Sequence, residues 1–385
     1  MAPAAPVGAL DIDAVIDDRN NRILICCGSG GVGKTTTAAA LALRAAERGR
    51  TVCVLTIDPA RRLAQSLGLS TLDNTPRQVP DVGADGGALF AMMLDMKRTF
   101  DEIVEQHSEP GRAQAILDNP FYQSLSSSFA GTQEYMAMEK LGQLRASHAA
   151  DGTAQPWDLI VVDTPPSRSA LDFLDAPKRL GSFLDGRFIK ILLAPAKVGG
   201  RAYVKVFSVG LGAVTGVLSK VMGAQVLGDL QTFVAALDTT FGGFRERADA
   251  TYALLQAPGT AFLVVAAPEP DALREATYFV ERLAEDGMPL AGLVINRAHS
   301  STAADLSAER SLGAAEELTE RGEYPLTAHL LGVHAERMQQ VTREHHLVRG
   351  FTSSFPAVAV ATAQAQASDV HDLAGLREVG ASLAR

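Results

Sequence analysis

Short, continuous runs of apolar residues alternate along the chain with longer segments whose apolar residues recur at the spacing of a helix. The runs predict strands over residues 23–27, 51–57, 89–94, 159–162, 262–265, 290–295 and 357–360. Because the runs are apolar throughout, both faces of each strand should be buried, as in a parallel sheet covered by helices. The pattern therefore predicts an α/β protein with a doubly wound, mainly parallel sheet.

Two stretches between predicted strands are longer than ordinary crossover connections. They cover residues 97–150 and 176–256, and the helical spacing of their apolar residues predicts two helical insertions that form a subdomain. Residues 20–385 are then one predicted domain with these insertions, and residues 1–19 are an N-terminal extension.

Composition excludes several classes of protein. The chain has 385 residues, of which 47% are hydrophobic, so it can bury a large core. The net charge of −9 gives no electrostatic footprint for nucleic acid, and we expect no nucleic-acid partner. The acidic first residues do not resemble a signal peptide, so the sequence predicts a cytoplasmic protein, with peripheral association at a membrane as an option.

The cysteines and histidines carry no metal-binding pattern. Cys26, Cys27 and Cys53 all lie in predicted strands and form no CxxC pair, which argues against disulfides and against a cysteine zinc site. No histidine belongs to a ligand motif, so the histidines are expected on helix surfaces or in solvent.

A glycine-rich motif with the pattern GxxxxGK[ST] follows the first predicted strand and precedes a predicted helix at 36–47. Such P-loops wrap backbone N–H groups around the phosphates of ATP, and the next helix presents its N-terminus to them. Lys34 should neutralise the β- and γ-phosphates during catalysis, and the Thr35 hydroxyl should bind Mg²⁺. The expected nucleotide-binding residues are Gly28, Ser29, Gly30, Gly31, Val32, Gly33, Lys34, Thr35 and Thr36. The motif occurs once, so a second ATPase unit would have to come from a second chain.

Two carboxylates follow predicted strands. Asp163 ends the run at 159–162, which is the expected position of the second magnesium ligand of a P-loop ATPase. Asp58 follows the run at 51–57 and precedes Pro59. From spacing alone, Asp58 is either a catalytic group that orients the attacking water or a helix N-cap.

With Gly30-Gly-Val-Gly-Lys-Thr-Thr36, Asp58-Pro-Ala, Asp163-Thr-Pro-Pro and Asn296 in this order, the chain resembles the ArsA-type ATPases. That family includes the arsenite-pump ATPase and the ATPase that delivers tail-anchored membrane proteins. Residues 131–139 and the two insertions also resemble the actinobacterial branch of anion-transporting ATPases. The resemblance extends over nearly all of residues 20–385.

This resemblance implies a deviant Walker A dimer that closes on ATP. It implies that Asp58 directs the attacking water and that residues 163–169 form the second switch. Asn296 would read the adenine base, with a turn asparagine at the strand end as the alternative. Pro268, Glu269 and the following helix would cover the nucleotide.

Ser29 departs from the family pattern. Family members have a signature lysine at this position, and the lysine reaches across the dimer to the ATP of the partner. Serine cannot supply this charge, so we expect a heterodimer with a related ATPase that keeps the lysine. The second switch also departs, because Ser167-Arg168-Ser169 stands where Thr-Gly-His is common, and Arg168 is a candidate substitute cation.

The resemblance leaves two functions open. The chain is either a hydrolysing dimeric switch that couples closure to a membrane-related client or transport partner, or a low-turnover regulatory subunit of a heteromeric ATPase. The apolar segment at 188–233 is either a groove for a hydrophobic client or an ordinary buried subdomain. A surface-patterning ATPase of the septum-site kind ranks third, because such proteins lack both insertions.

Overall fold

The structure is a computed structural model of the whole chain. It describes residues 8–57, 62–83, 86–108, 110–120, 122–123, 132–150, 157–165 and 242–384. The chain divides into two compact units. The first unit comprises residues 1–93, 153–170 and 255–385, and the second comprises residues 94–152 and 171–254.

The first unit is built on one eight-stranded sheet. Its strands are β1 (Ile23–Cys27), β2 (Thr51–Thr56), β3 (Arg77–Gln78), β4 (Ala88–Met93), β5 (Leu159–Asp163), β6 (Thr260–Ala266), β7 (Leu290–Ala298) and β8 (Val360–Gln364). They lie in the order β3-β4-β2-β5-β1-β6-β7-β8, and all pairs are parallel except β3 with β4. This confirms the predicted α/β fold with a mainly parallel sheet.

Helices lie between the strands along the chain, and those of the first unit pack on the sheet. In chain order they are α1 (Ile12–Asp17), α2 (Lys34–Glu47), α3 (Arg62–Ser66), α4 (Met96–His107), α5 (Pro110–Leu117), α6 (Thr132–Ala150), α7 (Gly242–Gln256), α8 (Pro270–Glu285), α9 (Ala308–Glu320), α10 (Pro325–Ser354) and α11 (Leu373–Leu383). Helices α1 to α3 and α8 to α11 belong to the first unit, and α4 to α6 with most of α7 belong to the second. None of the helices within the described ranges is long and apolar enough to cross a bilayer.

The last strand differs from the prediction at 357–360. A turn follows the end of α10, with Val358 N–H bonded to the carbonyl of Phe355, and the strand begins only at Val360. The predicted position was therefore wrong. The apolar residues 357–359 belong to the turn, and the strand follows them. The short β3 escaped prediction because both of its residues are polar and exposed.

Arg50 holds the N-terminal segment of the first unit against the sheet. Its guanidinium is fully buried at the end of the sheet opposite the P-loop, and it donates to the carbonyls of Ile16, Asp18, Asn21 and Asp158. Burial lowers the pKa of Arg50 to about 10, so the side chain keeps its charge at neutral pH. One side chain thus holds α1, the following loop and the start of β5 together.

Ion pairs on α2 add to this attachment. Arg44 makes a two-pronged bond to Asp13 of α1, with nitrogen–oxygen distances of 2.6 and 2.7 Å, and Arg48 makes another to Asp17. Each arginine holds the pKa of its carboxylate below the usual range, chiefly through hydrogen bonding. Residues before the predicted domain start at 20 therefore pack on the sheet unit.

The second unit is described through parts of four helices. Tyr122 donates to Asp101 at 2.7 Å, and Lys140 of α6 pairs with Glu102 of α4 at 3.0 Å. Arg247 of α7 pairs with Glu139 of α6 at 2.9 Å. The predicted insertion at 97–150 falls in this unit, whereas residues 166–241, and with them the 188–233 segment, lie outside the described residues.

Candidate functional site

The P-loop leaves the carboxyl end of β1 at the centre of the sheet. Gly28 has φ of +147°, and a Cβ atom there would lie 2.1 Å from the carbonyl oxygen of Val265 in β6. Only glycine fits this approach, so the first residue of the motif is fixed by packing as well as by ligand chemistry. α2 begins at Lys34 directly after the loop, and its first N–H groups therefore face the space that the loop encloses.

The side chain of Lys34 folds back onto the loop that precedes the helix. Its ammonium donates to the carbonyl oxygen of Ser29 at 2.7 Å, and only 6% of the residue is exposed. Ser29 itself is 8% exposed and carries no charge. The loop therefore surrounds the ammonium group of Lys34, and a bound phosphate would meet this positive charge.

Thr35 and Asp163 meet beside the loop. The Thr35 hydroxyl donates to Asp163 Oδ2 at 2.7 Å, and Thr56 at the end of β2 donates to the same oxygen at 2.8 Å. Asp163 is fully buried, because β5 lies between β1 and β2. The sequence motifs predicted Thr35 and Asp163 but not Thr56, which reaches the site because β2 pairs with β5.

Asp58 and the second switch beyond residue 165 are not part of this geometry. Asp58, Arg168 and Ser169 lie outside the described residues, so their predicted roles stay predictions. The nearest described point to Asp58 is Ile57, whose N–H donates to the carbonyl oxygen of Asp163 at 3.1 Å.

The end of β7 bends toward the P-loop. The register of β7 against β8 shifts between Ile295 and Ala298, so Asn296 and Arg297 form a β-bulge. Arg297 has φ of 59°, in the left-handed region that residues other than glycine seldom adopt. Bulges of this kind re-aim side chains, and they are common beside functional sites.

Both bulge residues contact the P-loop. The Asn296 amide nitrogen donates to the carbonyl of Val32 at 2.8 Å, and the Arg297 guanidinium donates to the carbonyl of Gly31 at 2.7 Å. A Cβ atom on Gly33 would lie 2.1 Å from the Asn296 amide nitrogen, so the loop glycine makes room for this contact. Asn296 was a predicted site residue, whereas Arg297 was missed because the sequence does not reveal the bulge.

The other predicted loop residues lie where the motif requires. Gly30 and Gly31 are exposed at the tip of the loop, Val32 is buried, and Thr36 is half-buried in the first turn of α2. The structure thus brings the predicted nucleotide-binding residues from Gly28 to Thr36 together with Asn296.

A second pair of polar residues lies just beyond the bulge. Glu344 of α10 accepts from the backbone N–H of His299 at 2.8 Å, and its other oxygen lies 2.6 Å from His299 Nδ1. Gln340 donates to the same carboxylate at 3.1 Å. Glu344 is only 8% exposed. The sequence did not single out this pair, because an isolated glutamate on a helix reads as a surface residue.

The His299–Glu344 pair lines a cavity of about 410 Å³ at the carboxyl ends of β6 and β7. The lining also includes Pro268, Glu269 and Arg297. The segment that the family resemblance assigned to covering the nucleotide therefore begins at this cavity, next to the residues that contact the P-loop.

The cysteines beside the loop are protonated thiols of low reactivity at neutral pH. Burial raises the pKa of the Cys27 thiol to about 12, and it raises the pKa of Cys26 strongly as well. The Cys27 thiol donates to the carbonyl of Leu263 at 3.6 Å. All three cysteines are buried, and none of them is in a disulfide.

Comparison with known proteins gives one family. The sequence profile of the anion-transporting ATPases matches residues 21–316. A protein named ATPase GET3 from Podospora anserina is 26% identical over 289 residues, which make up 74% of this chain and 76% of that protein.

Two further relatives match over shorter stretches. ATPase GET3 from Malassezia globosa is 30% identical over 43% of this chain and 45% of its own length. Protein Rv2184c from Mycobacterium tuberculosis is 33% identical over 43% of this chain and 39% of its own length. The chain therefore spans less than half the length of these two relatives.

Proposed function

This chain belongs to the anion-transporting ATPase family, and from that membership we propose that it binds ATP with Mg²⁺ and hydrolyses the nucleotide to ADP and phosphate. The observation that carries the proposal is the contact of Thr35 with the buried Asp163 beside Lys34. A hydroxyl, a carboxylate and an ammonium at the N-terminus of a helix are the set that phosphoryl transfer from ATP requires.

The residues present fit a magnesium ion. Thr35 and Asp163 offer hard oxygen ligands, and these are the donors that Mg²⁺ prefers. When bound, the ion would offset charge on the β- and γ-phosphate oxygens. Thr56 holds the carboxylate through the same oxygen and so orients it toward the loop.

The chain's own residues divide the remaining work. The backbone N–H groups of residues 28–36 hold the phosphates, and Lys34 neutralises the charge that develops during transfer. Asp58 orients the attacking water by accepting its hydrogen bond, and Asn296 contacts the adenine base. Hydrolysis then depends chiefly on positioning and charge.

We further propose that the active form is a dimer, and specifically a heterodimer with a related ATPase that carries the signature lysine. The support is Ser29, which is uncharged at the position of that lysine. In this arrangement the partner's lysine completes the site of this chain. The dimer closes on ATP in the cytoplasm or at a membrane surface, and it couples closure to a hydrophobic client or a transport partner.

The second candidate is a regulatory subunit with little turnover. Ser29 also favours this function for the chain alone, since a trans cation of this kind contributes about 10³ to 10⁵ in rate in related phosphoryl-transfer systems. The two candidates differ in whether the complex hydrolyses ATP. They agree that the chain binds ATP and Mg²⁺.

Substitution of Asp163 tests the proposal. Asp163→Asn keeps the side-chain size but removes the charge, so affinity for ATP in the presence of Mg²⁺ should fall at least about tenfold, with little change in EDTA. Titration with a fluorescent ATP analogue measures both, and phosphate release with copurified partners measures turnover.

Asp158→Asn is the matched control, because Asp158 precedes the other end of β5, far from the P-loop. It should leave the effect of Mg²⁺ intact. If the wild-type chain fails to bind ATP, or binds it equally with and without Mg²⁺, the proposed function is wrong. No phosphate release with or without the main partner would favour the regulatory subunit.

A further inference from the structure

The bulge at Asn296 and Arg297 is fixed at both of its ends. Before it, Ile295 is in register with both β6 and β8. After it, the backbone N–H and the imidazole of His299 are both held by the carboxylate of Glu344. A segment this short between two fixed points has few conformations available, so the Glu344 contact helps to decide where the bulge side chains point.

We propose that Glu344 is a positioning residue for base recognition, acting through His299 on Asn296. The inference rests on the proposed function, in which Asn296 contacts the adenine. It adds a residue of α10 that hydrogen-bonds to His299 and Gln340 and sets the selectivity of the site through His299.

The chemistry of Asn296 defines what would be selected. Its amide nitrogen already donates to the carbonyl of Val32, so the amide oxygen is the atom left to act as an acceptor toward a base. The exocyclic amino group of adenine can donate to such an oxygen, whereas guanine carries a carbonyl at the same ring position. A correctly placed Asn296 should therefore favour ATP over GTP.

The cost of burying Glu344 supports a dedicated role. A carboxylate that is 8% exposed is unfavourable unless it is paired and hydrogen-bonded. Both of its oxygens are used on His299, and Gln340 of the same helix supplies a further donor. An apolar residue could pack α10 against the end of the strand without that penalty, but it could not accept the hydrogen bond from the backbone N–H of His299.

Nucleotide affinities of four proteins test the proposal: wild type, Glu344→Ala, Asn296→Ala and the double variant. In wild type, ATP should bind at least about tenfold more tightly than GTP. In Glu344→Ala, ATP affinity should fall about tenfold while GTP affinity stays within about twofold. The double variant should lose no more than Asn296→Ala alone, because both changes remove the same interaction.

Two further variants separate positioning from folding. Glu344→Gln keeps an oxygen that can accept from the His299 N–H, so it should restore most of the preference for ATP even if Glu344→Ala is poorly folded. Glu336→Ala removes the same charge from an exposed position of α10 and should change neither affinity.

The outcomes are distinguishable. Equal losses of ATP and GTP affinity, or losses that add in the double variant, would overturn the inference and assign Glu344 a purely structural role. A wild-type protein that binds ATP and GTP alike would also overturn it while leaving the ATPase proposal standing. A wild-type protein that binds neither nucleotide would defeat the proposed function and the inference together.

Discussion

Single side chains at this site act mainly by occupying carbonyl oxygens. Lys34 occupies the carbonyl of Ser29, Arg297 that of Gly31, and Asn296 that of Val32. Three carbonyls of the loop, those of residues 29, 31 and 32, are therefore held by side-chain donors. A braced loop loses less conformational entropy when phosphate arrives, which should favour binding.

The cysteines give a prediction at the residue scale. Because burial raises the pKa of Cys27 to about 12 and that of Cys26 strongly, both remain thiols at pH 9, where an exposed cysteine is largely thiolate. Native protein should therefore react with a thiol reagent at pH 9 at least about 100-fold more slowly than denatured protein.

The control is Ser70→Cys, which places a thiol at an exposed position outside the sheet and should react at once. Denaturation should release all three native thiols. Rapid labelling of the native wild-type chain would show that the strands around the P-loop open more readily than this packing allows.

At the scale of elements, polar contacts between residues far apart in the chain hold segments whose packing the sequence pattern did not predict. The predicted N-terminal extension covers residues 1–19, and within it α1 lies against α2, with Leu10, Ile12 and Ile16 buried in the core of the first unit. The attachment depends on Arg50, which donates both to the carbonyl of Ile16 in α1 and to the carbonyl of Asp158 just before β5.

Arg50→Met tests this attachment. Methionine fills similar space but removes the guanidinium from four carbonyls, of which that of Asp18 keeps a second donor, the N–H of Asn21, so the free energy of unfolding should fall by about 3 kcal/mol. For a unit of this size that corresponds to a drop in melting temperature of roughly 6–12 °C. Hydrogen exchange should rise most in residues 9–21.

Arg48→Met is the matched control, because its pair with Asp17 is more than one-third exposed on both sides. It should cost no more than about 1 kcal/mol. Equal effects of the two substitutions would mean that the buried guanidinium contributes little beyond an ordinary surface ion pair.

At the scale of the whole molecule, the question is whether one chain suffices. The chain offers one P-loop, and in the dimer that we propose Ser29 stands where the signature lysine of the family would lie. A homodimer would lack that cation in both of its sites. The proposal of a heterodimer follows from this single position.

Ser29→Lys tests the proposal directly. The wild-type chain alone should hydrolyse ATP slowly, and the lysine variant should raise turnover at least about tenfold at protein concentrations that favour dimers. Phosphate release against protein concentration measures this, with Ser29→Ala as the control that should change nothing. Fast turnover by wild type and Ser29→Ala alike would count against a missing trans cation.

The sequence by itself determined most strands of the sheet, the parallel architecture and the phosphate-binding loop. These depend on local patterns: continuous apolar runs, and glycines at fixed spacing before Lys34 and Thr35. Where the local pattern misled, at residues 357–360, an apolar run served a turn instead of a strand.

Only the tertiary structure decided which distant residues share the site. The pairing of β2 with β5 brings Thr56 to Asp163, and the bulge in β7 turns Asn296 and Arg297 onto the loop. The contact of Glu344 with His299 depends on where α10 packs. Such contacts arise from strand order and helix packing, which join residues far apart in the chain, so no local pattern of residues can encode them.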